Sequence, residues 1–182
     1  MLVKKFIMLE LYFLRHAKSD WDSSDGNDFN RNISEKGVSK TKKIGEFLVS
    51  EEIFFDEILC SPSLRTKETL EIIKYFFKNK PKIKFIDDLY HTSGKDLFDI
   101  LMIEATMQRC LIISHEPLLS NSIESFFKSM ENQDLKNAIN DYSTSALFSV
   151  SFKCREWHEI NKECALINFF KRPKDFDYSV AR

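Results

Sequence analysis

One stretch decides the fold of this chain: Leu9-Glu10-Leu11-Tyr12-Phe13-Leu14, followed at once by Arg15-His16. The apolar run predicts a buried strand, and that strand delivers a cation and an imidazole to the edge of a sheet. In open α/β sheets, ligands bind at the carboxyl ends of the strands. A second short apolar run, 110–114, stops at His115 in the same way. Two strand-end histidines, with an arginine beside the first, predict a phosphate site with a histidine nucleophile.

The rest of the chain alternates strand-like and helix-like segments, which indicates an α/β layer architecture. Ser34 is suited to cap a helix with one apolar face, on which Gly45 would allow close approach to the sheet. From Ser143 the pattern becomes β-like. Further strands are predicted over 56–60, 83–86 and 165–170, helices after Ser63, over 95–105 and after Pro117, and a hairpin from 145–152 and 155–160.

Length and composition predict one globular domain over residues 1–182. The chain is 43% hydrophobic, with 17 Phe and 4 Gly, which excludes disorder. A net charge of −1 with mixed signs gives no reason to expect nucleic acid or a membrane as partner. The segment from Met1 to Met8 lacks the long uncharged core of a signal peptide, so a cytoplasmic location is predicted, with Met8 as an alternative start.

The cysteines predict buried free thiols and no zinc site, because none of them shows Cys-x-x-Cys spacing. A cysteine phosphatase would need arginine six positions after its nucleophile, and Thr66 stands there relative to Cys60. No metal and no cofactor is predicted. The four cysteines are Cys60, Cys110, Cys154 and Cys164.

Four residues carry the predicted chemistry: Arg15, His16, Arg65 and His115. Each falls at a strand end or in the first turn of a helix. Two guanidiniums can hold a phosphoryl group by paired N–H···O contacts, and a neutral imidazole is a nucleophile near pH 7. A second imidazole, if protonated, would stabilise charge on the transferring oxygens. Singly, each residue is more typical of a structural or surface position; their joint placement predicts a pocket that binds phosphate or sulfate.

Three motifs, in order along the chain, resemble those of the histidine phosphatase superfamily: the strand ending in Arg15-His16, then Ser61-Pro62-Ser63-Leu64-Arg65-Thr66-Lys67-Glu68-Thr69, then Ile112-Ile113-Ser114-His115-Glu116-Pro117. Within it, the chain resembles the small SixA-type phosphohistidine phosphatases. The segments that carry this finer resemblance are 15–21, 143–146 and 169–174.

The resemblance implies a role for each site residue. His16 would become phosphorylated, Arg15 and Arg65 would clamp the phosphate, and His115 would be the second pocket histidine. It also implies a three-layer α/β/α sandwich with a mostly parallel central sheet, like that of phosphoglycerate mutase, and no metal.

Two positions depart from the family pattern. Ala17 stands where the best-known pattern has glycine, which costs little if the backbone φ there is negative. Larger members take a general acid from a loop that corresponds to 87–94, where no clear match is found; the nearby carboxylates are Asp87, Asp88 and Glu116. A site without an acid suits phosphoramidates, whose imidazole leaving group is protonated on its own ring.

The sequence therefore predicts a phosphatase that acts, without a metal, through a phosphohistidine on His16. The favoured substrate is a phosphorylated histidine-containing protein, as in signal transduction. Two alternatives stay open: a phosphomonoesterase of small phosphate esters with the same fold, and a module that binds phosphate or a phosphoprotein without turnover.

Overall fold

The computed structural model describes residues 8–21, 26–91 and 94–177. The predicted start at Met1 and positions 92–93 of the predicted loop lie outside these residues. No helix in the described ranges is long and apolar enough to cross a membrane. The strands are β1 (Leu9–Arg15), β2 (Glu57–Cys60), β3 (Lys82–Phe85), β4 (Arg109–Ser114), β5 (Leu147–Phe152) and β6 (Ala165–Lys171). The helices are α1 (Glu35–Ser50), α2 (Leu64–Lys74), α3 (Leu97–Glu104), α4 (Leu118–Phe126) and α5 (Gln133–Asn140).

The strands form one mixed sheet in the order β3-β2-β4-β1-β5-β6. β1 pairs in parallel with β4, β4 with β2, and β2 with β3, whereas β5 is antiparallel to both of its neighbours. Of the strands that the described residues form, β5 alone therefore runs against the common direction. The predicted α/β fold with a mostly parallel sheet is confirmed.

Helices cover both faces of the sheet, because side chains of a strand point alternately to its two faces. Leu11 and Phe13 of β1 join the apolar cluster that includes α3, α4 and α5, whereas Tyr12 and Leu14 join the cluster that includes α1 and α2. All four side chains are buried. The result is the three-layer α/β/α arrangement that the sequence predicts.

Helix α1 begins as predicted at Ser34, whose hydroxyl accepts a hydrogen bond from the Gly37 N–H. The face that contains Gly45 is buried, but its close neighbour is not the sheet. A Cβ at Gly45 would lie 2.2 Å from the ring of Phe76, just after α2. The glycine therefore admits the aromatic ring that follows α2, and the predicted approach to the sheet is wrong.

The predicted hairpin is also wrong in its second strand. β5 is present, but its partner is β6, and residues 155–160 form an irregular segment with a 3-10 turn at Trp157–Glu159. The Glu159 carboxylate accepts from the backbone N–H groups of Arg155 and Glu156, and the Trp157 indole N–H donates to the Met107 carbonyl. These bonds hold a turn where an extended strand was predicted. Helix α5 was not predicted.

Candidate active site

The sheet brings the two predicted histidines together. β1 and β4 are parallel neighbours with Arg15 opposite Ser114, so His16 and His115 leave the same sheet edge side by side. Their ring centroids lie 4.9 Å apart. The backbone N–H of His16 donates to the Ser114 carbonyl at 3.0 Å, so the pairing of the two strands continues as far as His16. The predicted convergence of the strand ends is therefore what the structure shows.

His16 presents one free ring nitrogen. Its Nδ1 lies 2.7 Å from the carbonyl oxygen of Ala17. A carbonyl only accepts, so Nδ1 carries the proton and Nε2 carries the lone pair. Burial, together with the positive charges of Arg65 and Arg15, lowers the pKa of His16 to about 3. The ring is therefore neutral at pH 7, with Nε2 available as a nucleophile.

The segment after His16 is fixed by close packing. The Ala17 N–H donates to the Thr69 hydroxyl at 2.9 Å, and the Ala17 side chain is fully buried. Among the described non-glycine residues, the left-handed φ values belong to Glu52, Ser129 and Ser145. Ala17 thus occupies ordinary backbone, and alanine in place of the family's glycine is tolerated. Position 37 close to this segment has no room for a side chain, because a Cβ on Gly37 would lie 2.2 Å from the Lys18 carbonyl oxygen.

Both predicted arginines are anchored at their outer nitrogens. Arg15 Nη1 donates to the Tyr142 carbonyl at 2.6 Å. Arg65 Nη1 donates to the Asp28 carbonyl at 2.7 Å, and its Nη2 donates to the Asp28 carboxylate at 3.1 Å. The Nε of each guanidinium is buried and has no hydrogen-bond partner among the described residues. The anchors therefore leave at least the Nε–H of each arginine for a ligand.

Unpartnered buried nitrogens concentrate at this site. Four buried side-chain polar atoms of the described residues lack a hydrogen bond: Arg15 Nε, Arg65 Nε, His115 Nδ1 and Asn79 Oδ1. Three of these belong to the predicted site. An unsatisfied buried polar group costs about 1–3 kcal/mol, so such groups are normally paired. A phosphoryl oxyanion supplies acceptors for the guanidinium nitrogens, which makes this the place where an anion fits.

His115 forms a hydrogen bond with Ser61, a residue that was not predicted to belong to the site. Its Nε2 lies 2.8 Å from the hydroxyl oxygen of Ser61, and the Tyr90 ring packs edge-to-face against the imidazole with ring centroids 5.5 Å apart. Burial lowers the pKa of His115 to about 2, with His16 and Arg65 contributing in the same direction. The structure favours a neutral second imidazole, whereas the sequence analysis considered a protonated one.

Asp28 is a further site residue that was not predicted. Its carboxylate accepts from Arg65 Nη2, from Arg31 Nη1 at 2.8 Å and from the Tyr90 hydroxyl at 3.0 Å. The hydrogen bond from Arg31 is the first reason why the pKa of Asp28 falls to about 2. Asp28 lies in a polar segment without periodicity, so no sequence pattern distinguishes it from its neighbours. Asp28 is therefore ionised at neutral pH and fixes the position of the Arg65 guanidinium.

The three candidate acids are engaged elsewhere or exposed. Asp87 is exposed, Asp88 pairs with Lys95, and Glu116 accepts from the Ser120 N–H at 3.1 Å and from the Ser120 hydroxyl at 2.6 Å. In the described ranges, none of the three hydrogen-bonds to either site histidine. None of these three carboxylates is thus placed as a proton donor to either imidazole.

A groove of about 490 Å³ opens beside His115. Residues that line it include Tyr90, Lys95, Glu116, Leu118 and Asn121. The groove joins the pocket at His115, so a group attached to a bound phosphate has room to extend into it. Its lining combines apolar and polar side chains, as ligand grooves commonly do.

The cysteine alternative does not fit this geometry. Cys60 is fully buried, and burial raises the pKa of its thiol to about 12. A thiol with such a pKa carries almost no thiolate at pH 7, so it is a poor nucleophile. No group of three His, Cys, Asp or Glu side chains in the described ranges is placed to share a metal ion.

Comparison with known proteins adds the family. The model of the histidine phosphatase superfamily (branch 1) matches residues 11–90, a segment that includes Arg15, His16 and Arg65. This segment of the chain therefore resembles the histidine phosphatase superfamily. The resemblance agrees with the convergence of the two arginines and two histidines at one edge of the sheet and supports phosphatase activity.

Several solved structures share the fold of this chain. A proposed phosphohistidine phosphatase SixA from Agrobacterium tumefaciens has a TM-score of 0.71 at 22% identity, covering 91% of this chain and 98% of that one. The protein histidine phosphatase SixA in complex with tungstate has a TM-score of 0.67 at 18% identity, covering 92% and 99%. A phosphoglycerate mutase from Bacillus anthracis has a TM-score of 0.56 at 14% identity, covering 89% and 92%.

Relatives in sequence are themselves uncharacterised. A protein of Mycobacterium leprae is 24% identical over 165 residues, which are 88% of this chain and 100% of that protein. A chloroplastic protein of Arabidopsis thaliana is 30% identical over 92 residues, 50% of this chain and 42% of that protein. Their names assign no substrate.

Proposed function

We propose that this chain is a phosphatase that carries the phosphoryl group on Nε2 of His16 and acts on phosphohistidine side chains of proteins. The observation that carries the proposal is the free Nε2 of a neutral His16 beside unpartnered nitrogens of Arg15, Arg65 and His115. Phosphoryl transfer asks a protein mainly for positioning and charge stabilisation. The two guanidiniums supply that charge in a fixed arrangement.

The reaction proceeds in two displacements. In the first, Nε2 of His16 attacks phosphorus, and the bond from phosphorus to the leaving group breaks. In the second, water attacks the phosphorus of phosphorylated His16, and the P–N bond breaks to release inorganic phosphate and the neutral imidazole. The N–H of each clamping arginine holds the equatorial oxygens through both steps, so the charge that develops there meets donors already in place.

The carboxylates of the site favour a phosphoramidate substrate. An alkoxide leaving group needs a proton, but Asp28 is ionised and bound by Arg65 and Arg31. The imidazole of phosphohistidine takes its proton on its own ring from solvent and departs neutral. A site that lacks a placed acid therefore suits cleavage of P–N bonds better than cleavage of alkyl esters. The names of the structurally similar SixA proteins point to the same substrate class.

The groove beside His115 supports a second candidate function. Its volume of about 490 Å³ lies within the range of small-molecule sites. A small phosphate ester with an acidic leaving group, such as an aryl phosphate, would fit it and would need no proton from the enzyme. The two candidates differ in the substrate that the pocket prefers.

A labelling experiment tests the proposal. Brief exposure to a 32P-phosphohistidine peptide is expected to leave an acid-labile label on the wild-type chain and on His158→Ala, which changes an exposed histidine. His16→Ala is expected to take up no label. Phosphate binding without any label would identify a non-catalytic binding module instead.

A substrate panel, run with a chelator present, separates the two enzyme candidates. We expect phosphohistidine peptides to be hydrolysed faster than aryl phosphates and much faster than alkyl phosphates. Equal rates on alkyl phosphates and phosphohistidine would overturn the proposed preference.

A further inference from the structure

Ser61 and His115 form a buried pair at the ends of two neighbouring strands. Cys60 of β2 lies opposite Ile113 of β4, and the Ser61 N–H continues that pairing by donating to the Ile113 carbonyl at 3.0 Å. The Ser61 carbonyl in turn accepts from the Thr66 hydroxyl at 2.7 Å. The serine backbone is thus fixed on both sides, and its fully buried hydroxyl lies 2.8 Å from Nε2 of His115.

Two arrangements of the protons are compatible with this distance. In one, the Ser61 hydroxyl donates to Nε2, and the neutral ring carries its proton on Nδ1. In the other, Nε2–H donates to the hydroxyl oxygen, and Nδ1 carries a lone pair. The two tautomers differ at Nδ1 of His115, which is buried without a partner among the described residues: Nδ1 is an N–H donor in the first and carries a bare lone pair in the second.

The hydrogen bonds of Ser61 select the first arrangement. Within the described part of the chain, its hydroxyl makes no hydrogen bond except that to His115. If it accepted from Nε2–H, its own hydrogen would be buried without an acceptor, which native structures avoid. Nδ1 would then carry a lone pair, which would repel a phosphoryl oxygen. If the hydroxyl donates, the remaining N–H is the group that a phosphoryl oxygen completes.

We propose that Ser61 is a positioning residue that sets the tautomer of His115, so that a neutral imidazole offers Nδ1–H to the phosphoryl oxygen. This inference rests on the proposed function, because it assigns that N–H to the transferring group. It explains how the second histidine stabilises the oxyanion without carrying a proton on both nitrogens. The low pKa of His115, which disfavours the imidazolium ion, agrees with this assignment.

The tautomer is measured directly by nitrogen NMR of the 15N-labelled, ligand-free full chain. Long-range proton–nitrogen spectra distinguish a protonated ring nitrogen from a bare one, and His115→Asn assigns the signals. We expect Nδ1 protonated and Nε2 bare in the wild-type chain. In Ser61→Ala, we expect the proton to move to Nε2 in most molecules. A wild-type ring with its proton on Nε2, or an unchanged tautomer in Ser61→Ala, overturns the inference.

Binding of inorganic phosphate, followed by calorimetry, gives the second readout. Ser61→Ala is expected to weaken phosphate binding about tenfold, because one N–H donor is lost from the pocket. The matched control is Ser63→Ala, whose buried hydroxyl bonds Thr66 and touches neither histidine; it is expected to bind phosphate as the wild type does. Equal weakening in both variants contradicts a role through the tautomer.

These readouts need no turnover. If the labelling of His16 fails while the tautomer and phosphate results hold, the proposed function falls and the role of Ser61 in the pocket stands. If labelling succeeds and the tautomer differs, the enzyme assignment stands and this inference falls.

Discussion

Replacing Arg65 by lysine keeps the positive charge of the clamp but removes its geometry. Two of the three guanidinium nitrogens are bound to Asp28, and the third, Nε, has no partner among the described residues and is the one we assign to the phosphoryl group. Lysine has a single nitrogen, which cannot hold Asp28 and a phosphoryl oxygen at once. Loss of one preorganised donor to a developing oxyanion costs about 10²- to 10³-fold in kcat, or roughly 3–4 kcal/mol. We expect Arg65→Lys to lose activity by that factor.

The assay is hydrolysis of a phosphohistidine peptide under single-turnover conditions, with urea unfolding to show that the fold is retained. Arg109→Lys is the matched control, because Arg109 also donates through two nitrogens to a carboxylate, that of Asp56. Arg109 lies at the start of β4, at the end of the strand away from the site. The control variant is expected to leave kcat unchanged. A rate for Arg65→Lys within threefold of the wild type would refute the reasoning that Nε contacts the phosphoryl group.

Three other outcomes are expected. His16→Ala should lower turnover at least about a thousandfold while circular dichroism stays unchanged, because the nucleophile is gone. Acid should weaken the fold between pH 6.5 and 5: both site histidines have pKa values far below that of an unfolded histidine, about 6.5, so the unfolded chain binds more protons there. Urea unfolding in a phosphate-free buffer should show that the free energy of unfolding falls by about 3 kcal/mol between pH 6.5 and 5, and by roughly half as much in His16→Ala. A free energy of unfolding that does not change over this range would contradict buried neutral rings. Gly37→Ala should cost about 1–3 kcal/mol and most of the activity, since its Cβ meets the backbone of Lys18, whereas Gly45→Ala meets the movable ring of Phe76 and should reduce stability alone.

The sequence was most informative where local chemistry and burial agree. Strand β1 could be predicted because an apolar run ends in two polar residues, and the start of α1 because Ser34 is a typical cap. Helix α5 escaped prediction because its buried residues are only Leu135 and Ala138 amid polar side chains. The turn at Trp157 depends on a hydrogen bond to Met107, fifty residues earlier in the chain, which no local pattern reveals.

The candidate site shows the same division. Arg15, His16, Arg65 and His115 could be singled out because strand ends and helix starts place them at one edge. The residues that support them could not, since Asp28 and Ser61 look like ordinary loop residues until the fold brings them to their partners. Supporting side chains are recognised through tertiary contacts, which a single sequence does not encode in any short pattern.

The backbone of the nucleophile is fixed from both neighbouring strands. His16 N–H bonds the end of β4, and the His16 carbonyl accepts from Ser145, just before β5. Arg65, by contrast, donates hydrogen bonds to Asp28, which belongs to a segment that connects β1 to α1. Exchanging that segment between homologues would therefore be a practical route to new substrate ranges, because the His16 imidazole, the proposed nucleophile, would keep its place in the sheet.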